Sequence, residues 1–167
     1  AALTAALQEQ KDALTSLAAD GGLADSDSSQ AAYLALYRAS NSTGGTADYA
    51  LYTADGTLRY TTRESGEAAA LPAYWGLLRK AKLAQGPVFS AQIVSDLTSR
   101  AASCLKGAVA LRDGAGAVQG YLVCSMSLGQ METLLNGQLS GGAELYLLTP
   151  QWRLVYSSRL RDDTDRI

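Results

Sequence analysis

Histidine is absent from this sequence, phenylalanine occurs once and proline three times. Without histidine the chain lacks the commonest general base and the commonest metal ligand. It also lacks a glycine-rich phosphate loop, a nucleophile elbow and a metal-ligand cluster, so the enzyme readings fail on inventory. No catalytic residue, metal or cofactor is expected. Asp25, Asp27, Asp162, Asp163 and Asp165 fall in loop or tail segments and read as solvating charge. No run approaches the roughly 18 apolar residues of a membrane-spanning helix. Charge of one sign is also missing. Fourteen basic against sixteen acidic residues leave a net charge of −2, which provides no field for nucleic acid or an anionic membrane. The two cysteines, Cys104 and Cys124, fit no metal spacing. The chain opens on "AALTAALQEQ", without a methionine or a signal peptide, and we expect it to be a fragment excised from between flanking segments.

What is present suits a packed domain. Of the 167 residues, 47% are apolar and 18% charged, enough for one core and too apolar for disorder. Leu3, Leu7, Leu14 and Leu17 recur at helical intervals before "DGG", which predicts a long N-terminal helix over 3–19. A second helix is expected over 28–39, capped by Asp27 or Ser28, with Tyr33, Leu36 and Tyr37 on one face. "DYALYTADGTLRYTTRE" reads as a hairpin turning at Asp55-Gly56. "LPAYWGLLRKAKLAQG" reads as a helix with Pro72 near its start and Trp75, Leu78 and Leu83 as its apolar residues. A strand, "PVFSAQIV", precedes a second hairpin formed by "CLKGAVALRD" and "AVQGYLVCSMS". A helix with Leu128, Met131, Leu134 and Leu135 on one face follows, then a last hairpin, "AELYLLTPQWRLVYSSR".

Strands joined by tight turns are antiparallel neighbours. The expected fold is therefore α+β, a five-stranded antiparallel sheet with a long N-terminal helix, helices covering one face, and a C-terminal β-hairpin. One pattern occurs twice. Thr53, Leu58, Tyr60 and Arg63 are echoed by Thr149, Leu154, Tyr156 and Arg159, with two hydroxyl residues before each arginine. Hairpins draw on few residue types, so chance is one explanation. The spacing, about one small domain, favours a structural repeat.

The order of "YALYTADGTLRYTT", "LPAYW" and "AVALRDGAGAVQGYLVCSMSLGQMETLL" resembles the extracytoplasmic Cache (PAS-like) sensor domains of bacterial membrane receptors, over residues 1–140. Asp113, Gly116, Gly120, Leu128, Met131, Leu134 and Leu135 stand where that family has a strand-and-helix motif. The resemblance implies a PAS-like fold on the outer side of a bacterial cell membrane, joined to the membrane through flanking segments and signalling to a cytoplasmic module through the N-terminal helix. Residues 141–167, with "LTPQWRLVYSSR", resemble the start of the membrane-proximal second lobe of sensor histidine kinases.

Members of that family that bind amino acids carry an Arg shortly before a Trp-Tyr pair, then Tyr-x-Asp and a later Asp. An ammonium and a carboxylate leaving water each need a countercharge. Here Leu71, Pro72 and Ala73 precede Tyr74-Trp75, Ser90 and Gln92 replace Tyr and Asp, and Ser125 stands near the late Asp. Binding of an α-amino acid in the usual manner is disfavoured, which leaves a neutral or weakly polar ligand open. The candidate ligand-binding residues are Tyr74, Trp75, Ser90, Gln92 and Ser125. Against this stand a Trp75 that simply fills the core and serines that simply face solvent. Arg79 beside Lys80 and Lys82 reads as a solvated helix residue.

A short turn around Asp113–Gly116 sets Cys104 opposite Cys124, or one step out of register. Facing cysteines lie within bridging reach, and an extracytoplasmic location favours the cross-strand disulfide over two buried thiols. The rival to a sensor is a ligand-free scaffold that dimerises or docks a partner protein. The Leu3/Leu7/Leu14/Leu17 stripe suits a homodimer through the N-terminal helix, and equally packing on its own sheet.

Overall fold

The computed structural model describes residues 2–19, 23, 29–42, 47–62, 75–93, 103–127, 146–148 and 154–157. Within them run α1 (Ala2–Ala19), α2 (Ser29–Ser42), β1 (Asp48–Thr53), β2 (Leu58–Thr61), α3 (Trp75–Leu83), β3 (Val88–Ile93), β4 (Ser103–Arg112), β5 (Val118–Ser127), β6 (Tyr146–Leu148) and β7 (Leu154–Ser157). The first five strands form one antiparallel sheet in the order β2-β1-β5-β4-β3, while β6 and β7 pair separately. The α+β class and the five-stranded sheet are as the sequence predicts. The expected helix around Leu128–Leu135 and the Asp27/Ser28 cap lie outside the described residues.

Two hairpins turn in the same way. Gly56 N–H donates to Thr53 O at 2.9 Å and Thr53 N–H to Thr57 O at 2.9 Å. Gly116 N–H donates to Asp113 O at 2.9 Å and Asp113 N–H to Ala117 O at 3.0 Å. Each loop has three residues and ends on a glycine with positive φ, 86° at Gly56 and 85° at Gly116, a conformation that a β-carbon penalises. The turns thus centre on Asp55 and Ala115, half a residue before and up to one residue after the positions that the sequence alone sets. Asp113 caps its own loop, its Oδ1 accepting from Ala115 N–H and Ala117 N–H, both at 2.9 Å. Its Oδ2 accepts from Gln119 Nε2 at 2.7 Å. These donors, Ala117 N–H foremost, hold the Asp113 carboxyl below the usual range. Asp55 is lowered likewise, chiefly by the Thr53 hydroxyl.

The sheet is buried on both faces. On β1, Tyr49 and Leu51 face one way with Val109, Leu111, Leu122 and Cys124, under Leu14 of α1 and Ala32, Leu36 and Ala39 of α2. Ala50 and Tyr52 face the other way with Ala108, Tyr121 and Val123, under Leu77, Leu78 and Ala81 of α3. We call these the back and front faces. The expectation that the helices share one face is therefore corrected. Physically, "YALY" and "YLVC" are apolar at every position, the pattern of strands covered on both sides.

The helices bury different residues from those their periodicity suggests. On α2, Leu36 is buried between Ala32 and Ala39, while Tyr33 and Tyr37 are 44% and 49% exposed and stack on each other at 6.1 Å. The small alanines let α2 approach the sheet closely. On α3, Leu77 and Ala81 join Leu78 in the core, and Leu83 at the helix end is exposed. On α1 the leucine stripe packs on the helix's own sheet, with Leu14 buried and Leu7 and Leu17 half-buried.

The repeated pattern has a structural counterpart. Ala50↔Thr61, Leu51↔Tyr60 and Tyr52↔Leu58 pair β1 with β2. Tyr146↔Ser157, Leu147↔Tyr156 and Leu148↔Leu154 pair β6 with β7. The two sets correspond rung for rung at a constant sequence offset, and both shift register at the same place. Chance composition does not predict a shared bulge.

Candidate functional site

The front face carries one polar row across four strands. Ser90 pairs with Lys106, Lys106 with Ser125, and Ser125 with Asp48. Residues directly opposite one another share a face, so all four belong to the side covered by α3. Lys106 is 1% exposed and Ser125 3%. The Lys106 ammonium donates to Ser125 Oγ at 2.7 Å. Asp48 is half-buried, with the Thr62 hydroxyl donating to its Oδ1 at 3.4 Å.

Towards the turn end of the sheet the next rung is apolar: Val88, Ala108, Val123 and Ala50. Beyond the polar row on the other side, the next rung of the same parity holds Gln92, opposite Cys104, itself opposite Ser127. Ser90, Ser125 and Gln92 therefore occupy neighbouring rungs of the front face.

Arg112 anchors the last turn of α3. Its guanidinium donates to Lys82 O at 2.6 Å and to Gly116 O at 3.0 Å. This holds the last turn of α3 at the Arg112 end of β4. Tyr74 and the side chains of Trp75 and Gln92 lie outside what is described.

Sequence reasoning missed Lys106. Its signal is a single cation inside the apolar strand "CLKGAVAL". A lysine on a strand apolar at both parities has no solvent face to occupy. It missed Gln10 too, which continues the Leu7/Leu14/Leu17 stripe of α1. Gln10 is 1% exposed, and its Oε1 accepts from the Tyr49 hydroxyl at 2.7 Å on the back face.

The disulfide is corrected. Cys124 lies opposite Gly107, and Cys104 lies opposite Ser127. Their rungs are three positions apart, about 10 Å along the strand, and of opposite parity, beyond disulfide geometry. The turn centres up to one residue later than the sequence reading has it, and a bulge at Leu111/Arg112 shifts the register again. Cys124 is a free thiol, pushed up to about 12 by burial, which outweighs the lowering influence of Lys106. In a Cys104→Ser variant, Cys124 should resist Ellman's reagent at pH 8 and react only after denaturation. Rapid native-state labelling would contradict this burial.

No protein-family model matches the sequence, and no curated protein matches it significantly. Solved structures do match its fold. The sensory domain of the Campylobacter jejuni chemoreceptor Tlp3, with isoleucine bound, aligns over 99% of this chain and 69% of its own, with a TM-score of 0.67 and 11% identity. The ligand-binding domain of the Pseudomonas fluorescens chemoreceptor CtaA, in complex with L-valine, aligns over 96% and 70%, with a TM-score of 0.69 and 13% identity. That of the Pseudomonas aeruginosa amino acid chemoreceptor PctC, in complex with GABA, aligns over 92% and 67%, with a TM-score of 0.63 and 17% identity. The chain thus shares the PAS-like fold of these chemoreceptor ligand-binding domains.

Proposed function

We propose that this chain is the extracytoplasmic ligand-binding domain of a bacterial transmembrane signalling receptor. On this reading it is non-enzymatic and binds a small molecule between the front face and α3. The observation that carries the reading is the polar row Ser90–Lys106–Ser125, with Lys106 and Ser125 buried and Ser90 half-buried, on a face whose other buried residues are Ala, Val, Leu and Tyr. Buried polar groups are costly in a core that serves packing alone, whereas ligand sites join an apolar wall to a few placed polar groups. The likeness to chemoreceptor domains supports ligand sensing. The likeness of residues 146–159 to sensor histidine kinases supports that output module over a chemotaxis module. Among the described residues no helix is long and apolar enough to cross a membrane. The docking of α1 on the sheet through Leu14 and Gln10 supports α1 as the signalling element.

A thermal-shift screen of small metabolites, run alongside size-exclusion chromatography, tests the reading. At a hundred times its Kd, a true ligand should raise Tm by about 5–10 °C. A constitutive dimer indifferent to every compound would favour the scaffold.

A further inference from the structure

We propose that Asp48, Thr62, Tyr49 and Gln10 form a hydrogen-bonded relay that passes the state of the front face to α1. The inference rests on the sensor reading and names the regulation of its site.

Asp48 and Tyr49 are consecutive on β1, so their side chains leave the sheet on opposite faces. Asp48 stands on the front-face polar row, opposite Ser125. Tyr49, buried on the back face, donates its hydroxyl to Gln10 Oε1 of α1 at 2.7 Å. Thr62 joins the two. Its Oγ1 accepts from Tyr49 N–H at 2.9 Å and donates to Asp48 Oδ1 at 3.4 Å, while its own N–H donates to Tyr49 O at 2.9 Å. A side-chain hydroxyl therefore stands where the ladder of β1 and β2 would otherwise supply a carbonyl acceptor.

This rung can be held or released. Threonine has few staggered rotamers, and turning χ1 to another carries the oxygen away from its present partners. The contact with Asp48 is the longest of the series and hence the weakest. A polar molecule that reaches the front-face row and takes up Asp48 removes the acceptor that orients the Thr62 hydroxyl. The Tyr49 amide then loses its partner, and the tyrosine that seats Gln10 is less firmly held. A rung that only closed the hairpin would need no tyrosine hydroxyl. At the offset of the other repeated residues, Glu144 and Ser158 match Asp48 and Thr62, but Leu145 stands where β1 has Tyr49. The acid and the hydroxyl recur, and the link to α1 does not.

The test is hydrogen–deuterium exchange of the full chain, read by mass spectrometry over α1 and α2. In Thr62→Val, the amides of α1 should exchange about 5- to 10-fold faster, the effect of one lost hydrogen bond, with α2 unchanged. Asp48→Ala should do the same, and it carries the comparison where Thr62→Val fails to fold. Thr62→Ser, which keeps the hydroxyl, should match the parent protein. In Tyr49→Phe the helix is already released, so adding Thr62→Val should change its exchange by less than about twofold.

Unchanged exchange of α1 in both Thr62→Val and Asp48→Ala would overturn the relay. So would equal acceleration of α1 and α2, which marks a general loosening, or effects of Tyr49→Phe and Thr62→Val that multiply. Each of these results leaves the sensor reading to the metabolite screen. A screen without any stabilising compound would remove that reading, and the relay with it.

Discussion

Replacing Gly120 by alanine should destabilise the domain by about 3 kcal/mol, and replacement by valine should prevent folding. A β-carbon at Gly120 would lie 2.6 Å from the carbonyl oxygen of Tyr52. That oxygen belongs to the backbone of a central strand, so it cannot swing aside as a side-chain end would. The site is next to the bulge at Leu111/Arg112, and a bulge increases the local twist. Gly114 supplies the control, because nothing lies within 4 Å of its added β-carbon. Gly114→Ala should fall within about 1 kcal/mol of the parent protein. Urea unfolding monitored by circular dichroism measures both. Equal midpoints for Gly114→Ala and Gly120→Ala would show that β1 and β5 do not approach as described.

The second large effect is expected at Leu14→Ala. Leu14 is fully buried between α1 and the back face, and truncating such a residue costs about 2–5 kcal/mol. One turn away, Gln10 receives the Tyr49 hydroxyl, so α1 is held by one apolar and one polar contact in succession. The polar contact is directional and sets where along its axis the helix rests. On the sensor reading, this docking is how ligand on the front face reaches the membrane, because both faces share the strands β1, β4 and β5. In the parent receptor, Leu14→Ala should lower Tm and weaken the response to ligand. Measured well below that Tm, ligand affinity should change by less than about threefold. A full response despite the loss of stability would exclude α1 as the transmitting element.

Much of this was legible in the residues. The two glycine-ended turns, the antiparallel pairing and the leucine stripe of α1 are local patterns, and local patterns survive folding. So is the recurrence of Leu58 and Tyr60 at Leu154 and Tyr156, which reappears as matching rungs. The sheet's two covered faces were also legible in "YALY" and "YLVC", once the lack of alternation is taken at its word. Ser90, Ser125 and Gln92 were singled out from a resemblance, and the register brings them to adjacent rungs of the front face.

The sequence by itself determined the element types and the hairpins, because each depends on residues close together in the chain. Tertiary structure alone decided the cysteine register, the exposure of Tyr33 and Tyr37, and the burial of Lys106 beside Ser125. Each of these depends on which strand or helix lies opposite. A turn displaced by one residue, followed by one bulge, reverses the face on which a side chain falls. Hydropathy patterning does not carry that information, since a buried lysine and a solvated one are the same letter until their neighbours are known.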